Sequence, residues 1–198
     1  MISVCASRNS QADLFPGKLR IGELFFDVPV DYQKPYGTTL RLFARSVSRF
    51  NKPLEPTKEE TNLPWLLFLQ GGPGFGCSPP QNYSWIDPIL TKGYQVSGQR
   101  SSLSRLDNVT PNLNHQVLFV DQRGTGLSST ITAATLACQG DAIKQAEYLK
   151  HFRADNIVRD CEAIRYLLTE DLPPDQRKWS IMGQSFGGFC ALTYLSLL

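Results

Sequence analysis

The stretch from Lys178 to Tyr194 constrains this chain more than any other. A short apolar run, Trp179, Ile181 and Met182, reads as a buried strand. It meets Gly183-Gln184-Ser185-Phe186-Gly187-Gly188, and an apolar helical pattern follows. Gly-x-Ser-x-Gly between a strand and a helix is the pattern of a nucleophile elbow. The turn is so sharp that its central residue is held in strained backbone geometry with the side chain pointing out. Glycine belongs two residues before and after that serine because a Cβ there would clash. The competing reading is an ordinary glycine-rich βα turn, and the flanking strand and helix favour the elbow.

A strand that ends in such a turn needs a sheet to carry it. Leu19 to Val28 and Leu40 to Val47 read as strands, with Pro29, Pro35 and Gly37 supplying the turn between them. Together they predict an antiparallel pair at the sheet edge. Trp65 to Leu69 and Gln116 to Val120 are continuous apolar runs, as expected of interior parallel strands covered on both faces. Helical segments fall near 82–92, over 139–151 and over 155–170. In the last, Ile157, Val158, Cys161, Ile164, Leu167 and Leu168 recur at helical spacing, Asp155 is a suitable cap, and Leu172-Pro173-Pro174 ends it. Residues 1–17 are polar without periodicity and read as a flexible lead-in, 51–63 as a charged surface loop, and 97–114 as a long polar loop. An antiparallel start followed by parallel strands with helical crossovers predicts an α/β fold over residues 18–198. Helices cover both faces, and Ser185 stands at the carboxyl edge of the sheet.

Composition narrows the function. Twenty Lys and Arg against 18 Asp and Glu give a net charge of +2, with no basic patch interleaved with aromatics, so nucleic acid is set aside. Five scattered cysteines (Cys5, Cys77, Cys138, Cys161 and Cys190), without Cys-x-x-Cys spacing or nearby histidine pairs, predict neither a disulfide framework nor a zinc site. The first residues carry Arg8 and Asp13 and lack the apolar core of a secretory signal, and no apolar run approaches a membrane span. The expectation is a cytoplasmic, soluble protein with reduced thiols, no membrane partner, and no stated oligomeric state.

A serine hydroxyl is a weak nucleophile until a base takes its proton, and the oxyanion it generates needs donors already in place. The elbow supplies Ser185 as nucleophile and the Phe186 backbone N–H as one donor. A second must come from a glycine-rich loop after an earlier strand, and Gln70-Gly71-Gly72-Pro73-Gly74 follows Leu69 directly. The Gly72 N–H is the candidate, since Pro73 has none. The alternative for this loop is a tight Gly-Pro-Gly turn with no ligand role. Acyl transfer on serine implies no cofactor and no metal.

Gln70-Gly-Gly-Pro-Gly, Asp121-Gln-Arg-Gly-Thr-Gly and Gly183-Gln-Ser-Phe-Gly-Gly, in this order, resemble the proline iminopeptidase (prolyl aminopeptidase) family of α/β-hydrolase serine peptidases. The resemblance runs from about residue 17 to the end. Gln70 stands where the family commonly has His, and Phe186 where it commonly has Trp; both departures resemble a fungal-type branch. What the resemblance implies is release of an amino-terminal residue, preferentially proline, from peptides with a free N-terminus through an acyl-enzyme on Ser185. It also implies that Asp121 and Arg123 support the site as an ion pair or hydrogen-bond hub; a solvated turn pair is the alternative.

In that fold the triad runs Ser, then Asp or Glu, then His. After Ser185 the chain offers no acid and no histidine. His115 and His151 lie upstream, the first at the far end of its strand and the second near a helix end, expected to face solvent. Glu59, Glu60 and Asp87 are not replacements. The chain thus resembles the amino-terminal half of such an enzyme, and negligible peptidase activity is expected of it alone. The rival readings are another α/β-hydrolase such as an esterase, and a non-catalytic fragment or regulatory module. Epoxide hydrolases place Asp at the elbow, so Ser185 argues against that chemistry.

Overall fold

A computed structural model describes residues 3–14, 17–49, 63–92 and 115–198 of the chain. Six strands form one mixed sheet in the order β1-β2-β3-β5-β4-β6. They are β1 (Ser3–Leu14), β2 (Gly17–Pro29), β3 (Thr39–Arg49), β4 (Trp65–Leu69), β5 (Gln116–Asp121) and β6 (Ser180–Gly183). The first three pair antiparallel, and β3 pairs antiparallel with β5. From there β5, β4 and β6 run parallel. Five α-helices accompany them among the described residues: α1 (Ile86–Lys92), α2 (Ala133–Ala137), α3 (Ala142–Leu149), α4 (Ala154–Thr169) and α5 (Phe186–Leu197).

The pleat sorts side chains onto two faces. Leu67, Leu69, Leu118 and Val120 join Phe26, Val28 and Leu42 under α4 and α5. Leu66, Phe68, Val117 and Phe119 face the other way with Ile86 and Leu90 of α1. Every residue of β4 is buried, which is why that strand reads as an unbroken apolar run. The α/β fold with helices on both faces is the one expected.

Four local expectations need correction. Residues 1–17 are not a lead-in: Ser3–Leu14 pairs along its length with β2, so the sheet edge is β1 and not the β2–β3 pair. A polar edge strand is held by backbone hydrogen bonds and need not show apolar alternation. β6 is half-buried, because it forms the opposite edge with no described strand on its outer side. The helix expected over 139–151 spans Ala142–Leu149 and continues as a 3₁₀ turn over Lys150–Phe152, while α2 was not foreseen; a Thr132–Thr135 capping box starts it. Asp155 lies in the first turn of α4, and the cap position is Arg153. The loop expected at 97–114 and nearly all of that at 51–63 lie outside the described residues.

Candidate active site

Parallel strands β4, β5 and β6 end on the same edge, and the three sequence motifs follow their carboxyl ends. The turn after β6 is the tightest. Ser185 has φ 53° and ψ −118°, and no other described non-glycine residue has positive φ. Holding a serine there costs about 1–3 kcal/mol, which the surrounding packing must sustain. The packing is close: a Cβ at Gly187 would lie 1.9 Å from the Leu69 carbonyl oxygen, and one at Gly183 would lie 2.3 Å from that of Gly187. Helix α5 therefore begins against the end of β4, and the Gln184 N–H donates to the Leu69 carbonyl at 3.1 Å. Ser185 is exposed at the tip.

The glycine-rich loop lies beside it. A Cβ built on Gly71 would be 3.2 Å from Ser185 Cβ and 3.0 Å from the Gln184 carbonyl oxygen. The next residue, Gly72, has φ 134°, open to glycine and not to other residues without strain. Phe186 opens α5, where an N–H has no intrahelical acceptor and the helix dipole favours negative charge. Among the described residues neither the Phe186 N–H, the Gly72 N–H nor the Ser185 hydroxyl has a hydrogen-bond partner.

Of the ion pair and the hydrogen-bond hub expected of Asp121 and Arg123, the ion pair between them is not formed: each side chain has its own partners. Asp121 accepts the Cys77 N–H at 2.7 Å and the Leu127 N–H at 2.8 Å, tying the loop after β4 to the turn after β5. Gly126, at φ 55°, makes room: a Cβ there would sit 2.0 Å from Asp121 Oδ2. The same turn is stitched to β3, since Ser128 Oγ donates to the Asp121 carbonyl and accepts the Phe43 N–H. Arg123 turns the other way. It reaches Asp160 on α4 through two bonds of 2.5 and 2.7 Å, and donates to the carbonyls of Pro29, Val30 and His151. Tyr32 donates to the same carboxylate at 2.7 Å, and burial next to that charge pushes the Tyr32 phenol up.

Sequence reasoning missed Asp160, Tyr32 and Gln122. Asp160 carried a signal: it sits among Ile157, Cys161 and Ile164 on the apolar face of its helix, where a carboxylate demands a partner. Gln122 is buried, and its Nε2 donates to the Gln70 carbonyl at 3.0 Å. Gln70 is held at its other end too, Oε1 accepting from Tyr83 at 3.2 Å.

No base reaches Ser185 among the described residues. His115 is buried just before β5, at the end of that strand remote from Asp121. His151 is half-buried in the turn before α4 rather than facing solvent, and its carbonyl serves Arg123. Among the described residues no three His, Cys, Asp or Glu side chains converge so as to hold a metal ion. No described helix is long and apolar enough to cross a membrane.

Known proteins are similar to this chain in sequence. The chain is 51% identical over 182 residues to proline iminopeptidase aneH of Aspergillus aculeatus, covering 92% of this chain and 35% of that protein. It is 45% identical over 175 residues to a proline iminopeptidase of Aeromonas sobria, covering 87% of this chain and 33% of that one. The chain thus spans about a third of the length of these curated relatives. Among solved structures, the rice cell wall degrading esterase LipA of Xanthomonas oryzae aligns over 98% of this chain and 45% of its own, at 13% identity and a TM-score of 0.45. The profile described as alpha/beta hydrolase fold matches residues 64–198, and the chain belongs to that family.

Proposed function

We propose that this chain carries the nucleophile and oxyanion hole of a serine aminopeptidase of the proline iminopeptidase type. The observation that carries the reading is an exposed Ser185 at φ 53° with the Gly71–Gly72 loop packed against its Cβ. Ser185 Oγ attacks the carbonyl carbon of the substrate's amino-terminal residue, and its proton passes to a base. The oxyanion forms between the N–H groups of Phe186 and Gly72, the C–N bond breaks, and the amine leaves with a proton. Water then releases the amino acid from the acyl-enzyme. The names of the two relatives support proline as the residue released. The substrate is a peptide with a free amino terminus, and the free thiols of Cys77, Cys138, Cys161 and Cys190 suit a cytoplasmic setting.

A base is the missing part. Oxyanion stabilisation and binding without a triad leave catalysis orders of magnitude below the complete machinery. The 198-residue chain alone is accordingly proposed to turn over negligibly. The absence of a base beside Ser185 among the described residues also favours a second reading, a non-catalytic or regulatory fragment.

The test joins residues 1–198 to the carboxyl-terminal part of the Aspergillus relative and offers a prolyl arylamide and a short acyl ester. Hydrolysis of the arylamide by the joined protein, and not by the chain alone, is expected. Preference for the ester would favour an esterase, and inactivity on both would favour the fragment reading.

A further inference from the structure

A loop of glycines is a poor catalytic element unless something outside it fixes its direction. Residues 71–76 contain four glycines, which lose more conformational freedom on ordering than any other residue. Oxyanion donors are useful only when they are already aimed. The described structure holds this loop at both ends. At its far end Cys77 donates to Asp121, and Ser78 donates to the Tyr83 hydroxyl at 3.0 Å. At its near end two contacts converge on Gln70, one on the side chain from Tyr83 and one on the backbone from Gln122.

The backbone contact differs in kind. In a planar trans peptide the carbonyl of one residue and the N–H of the next point in opposite directions as one rigid unit. Gripping the Gln70 carbonyl therefore fixes the Gly71 N–H and sets the plane from which the chain enters Gly71, whose close fit against the Gln184 carbonyl and Ser185 Cβ carries that direction on to Gly72. Gln122 is itself immobilised. It is 4% exposed, and its own carbonyl accepts both the N–H and the hydroxyl of Thr125, at 3.0 and 2.8 Å. Its neighbours are Asp121, bound to two loop amides, and Arg123, bound to α4. The turn after β5 that carries it thus transmits the rigidity of the sheet to the loop facing the nucleophile.

We propose that Gln122 is a positioning residue: its side-chain amide, by holding the Gln70 carbonyl, aims the Gly71–Gly72 backbone at the oxyanion formed on Ser185. The proposal rests on the hydrolase reading of Ser185 for its catalytic meaning, and on the hydrogen bond alone for its structural one. Two variants remove the donor at similar size, Gln122→Met and Gln122→Leu, neither of which carries a polar hydrogen. Gln145→Met is the control, because Gln145 makes the same kind of bond, to the Gly140 carbonyl at 2.7 Å, on α3.

Hydrogen exchange on the 198-residue chain, carried as a solubility-tag fusion, reads the loop directly. Exchange of the Cys77 and Ser78 amides, which donate to Asp121 and Tyr83 and close the loop, is expected to rise about 10-fold or more in both Gln122 variants while β4 and β5 stay protected, and not in the control. In the protein joined to the relative's carboxyl-terminal part, kcat is expected to fall about 100-fold with KM changed less than about threefold, as for a misaimed group. Cys77 and Ser78 exchange unchanged in a folded Gln122→Leu chain, or kcat within about twofold of the parent, overturns the proposal. If Gln122→Met unfolds the chain, Gln122→Leu decides. A joined protein inactive with Gln122 intact would instead sink the hydrolase reading, and the exchange result would still judge the anchor.

Discussion

Replacing Arg123 by Met tests what holds the turn after β5 in place. The guanidinium side chain is 0% exposed and its partner Asp160 3% exposed, so both charges are out of water. Removing Arg123 leaves the carboxylate with the Tyr32 hydroxyl, and strips a donor from the carbonyls of Pro29, Val30 and His151. Breaking a buried pair from one side costs about 3–5 kcal/mol, a large part of the roughly 5–15 kcal/mol that stabilises a domain. Asp160→Leu leaves the opposite charge unpaired and is expected to cost as much. If the two were independent, the double variant would lose about 6–10 kcal/mol. Because the second substitution removes the charge stranded by the first, the double is expected to lose only about 3–5 kcal/mol, a coupling of about 3 kcal/mol or more. Pulse proteolysis in urea on tagged chains measures all four proteins. A single-variant cost below about 1 kcal/mol, or losses that add within about 0.5 kcal/mol, would refute the reasoning.

Other consequences concern the elbow, the helix pair behind it and the thiols. Gly187→Ala forces a Cβ to within 1.9 Å of the Leu69 carbonyl and is expected to abolish protease resistance, whereas Gly188→Ala, whose nearest neighbour is 3.7 Å away, is expected to stay within about 1 kcal/mol of the parent. Glu162 accepts from Arg165 at 2.6 and 2.8 Å and from Tyr194 at 2.5 Å, and the Arg165 contact holds its carboxyl below its ordinary 4.5. A lowered folded-state value stabilises above that ordinary value and is lost as pH falls, so the urea-midpoint gap between parent and Glu162→Gln should be full at pH 7 and shrink below about pH 4.5; a constant gap would contradict it. Burial pushes the Cys190 thiol up to about 11 and raises the Cys161 thiol well above its ordinary value, whereas Cys138 is exposed, so iodoacetamide mapping by mass spectrometry should find Cys138 alkylated well before either. Phe189, Leu192 and Leu195 of α5 are 58%, 69% and 75% exposed next to the open β6 edge, so the untagged chain is expected to aggregate; a sharp cooperative melt of a monomer would count against that.

Much of the fold was legible because burial on both faces writes itself into sequence. The runs at Trp65–Leu69 and Gln116–Val120 could hardly be anything but interior strands, and the elbow announced itself through glycines that only a close backbone approach requires. β1 was illegible because an edge strand is held by main-chain bonds, which any side chain permits. β6 read as buried because its residues are apolar, although the described sheet leaves its outer side open. At the site, Gly71 and Ser185 stand close together because two adjacent parallel strands end side by side. What no local pattern could supply was partnership at long range. Arg123 meets Asp160 across 37 residues, and Gln122 meets Gln70 across 52. Asp160 showed as a misfit on an apolar helical face, but nothing in the sequence said which cation answers it.

The most direct measurement is fluorophosphonate labelling, followed by peptide mapping, of the 198-residue chain and of the same residues joined to the carboxyl-terminal part of the Aspergillus relative. The joined protein is expected to be modified stoichiometrically on Ser185 and to lose all labelling with Ser185→Ala, while the chain alone stays essentially unmodified over the same time. Modification at any other residue, or full-speed labelling of the chain alone, would contradict the assignment of Ser185 as a nucleophile waiting for its base.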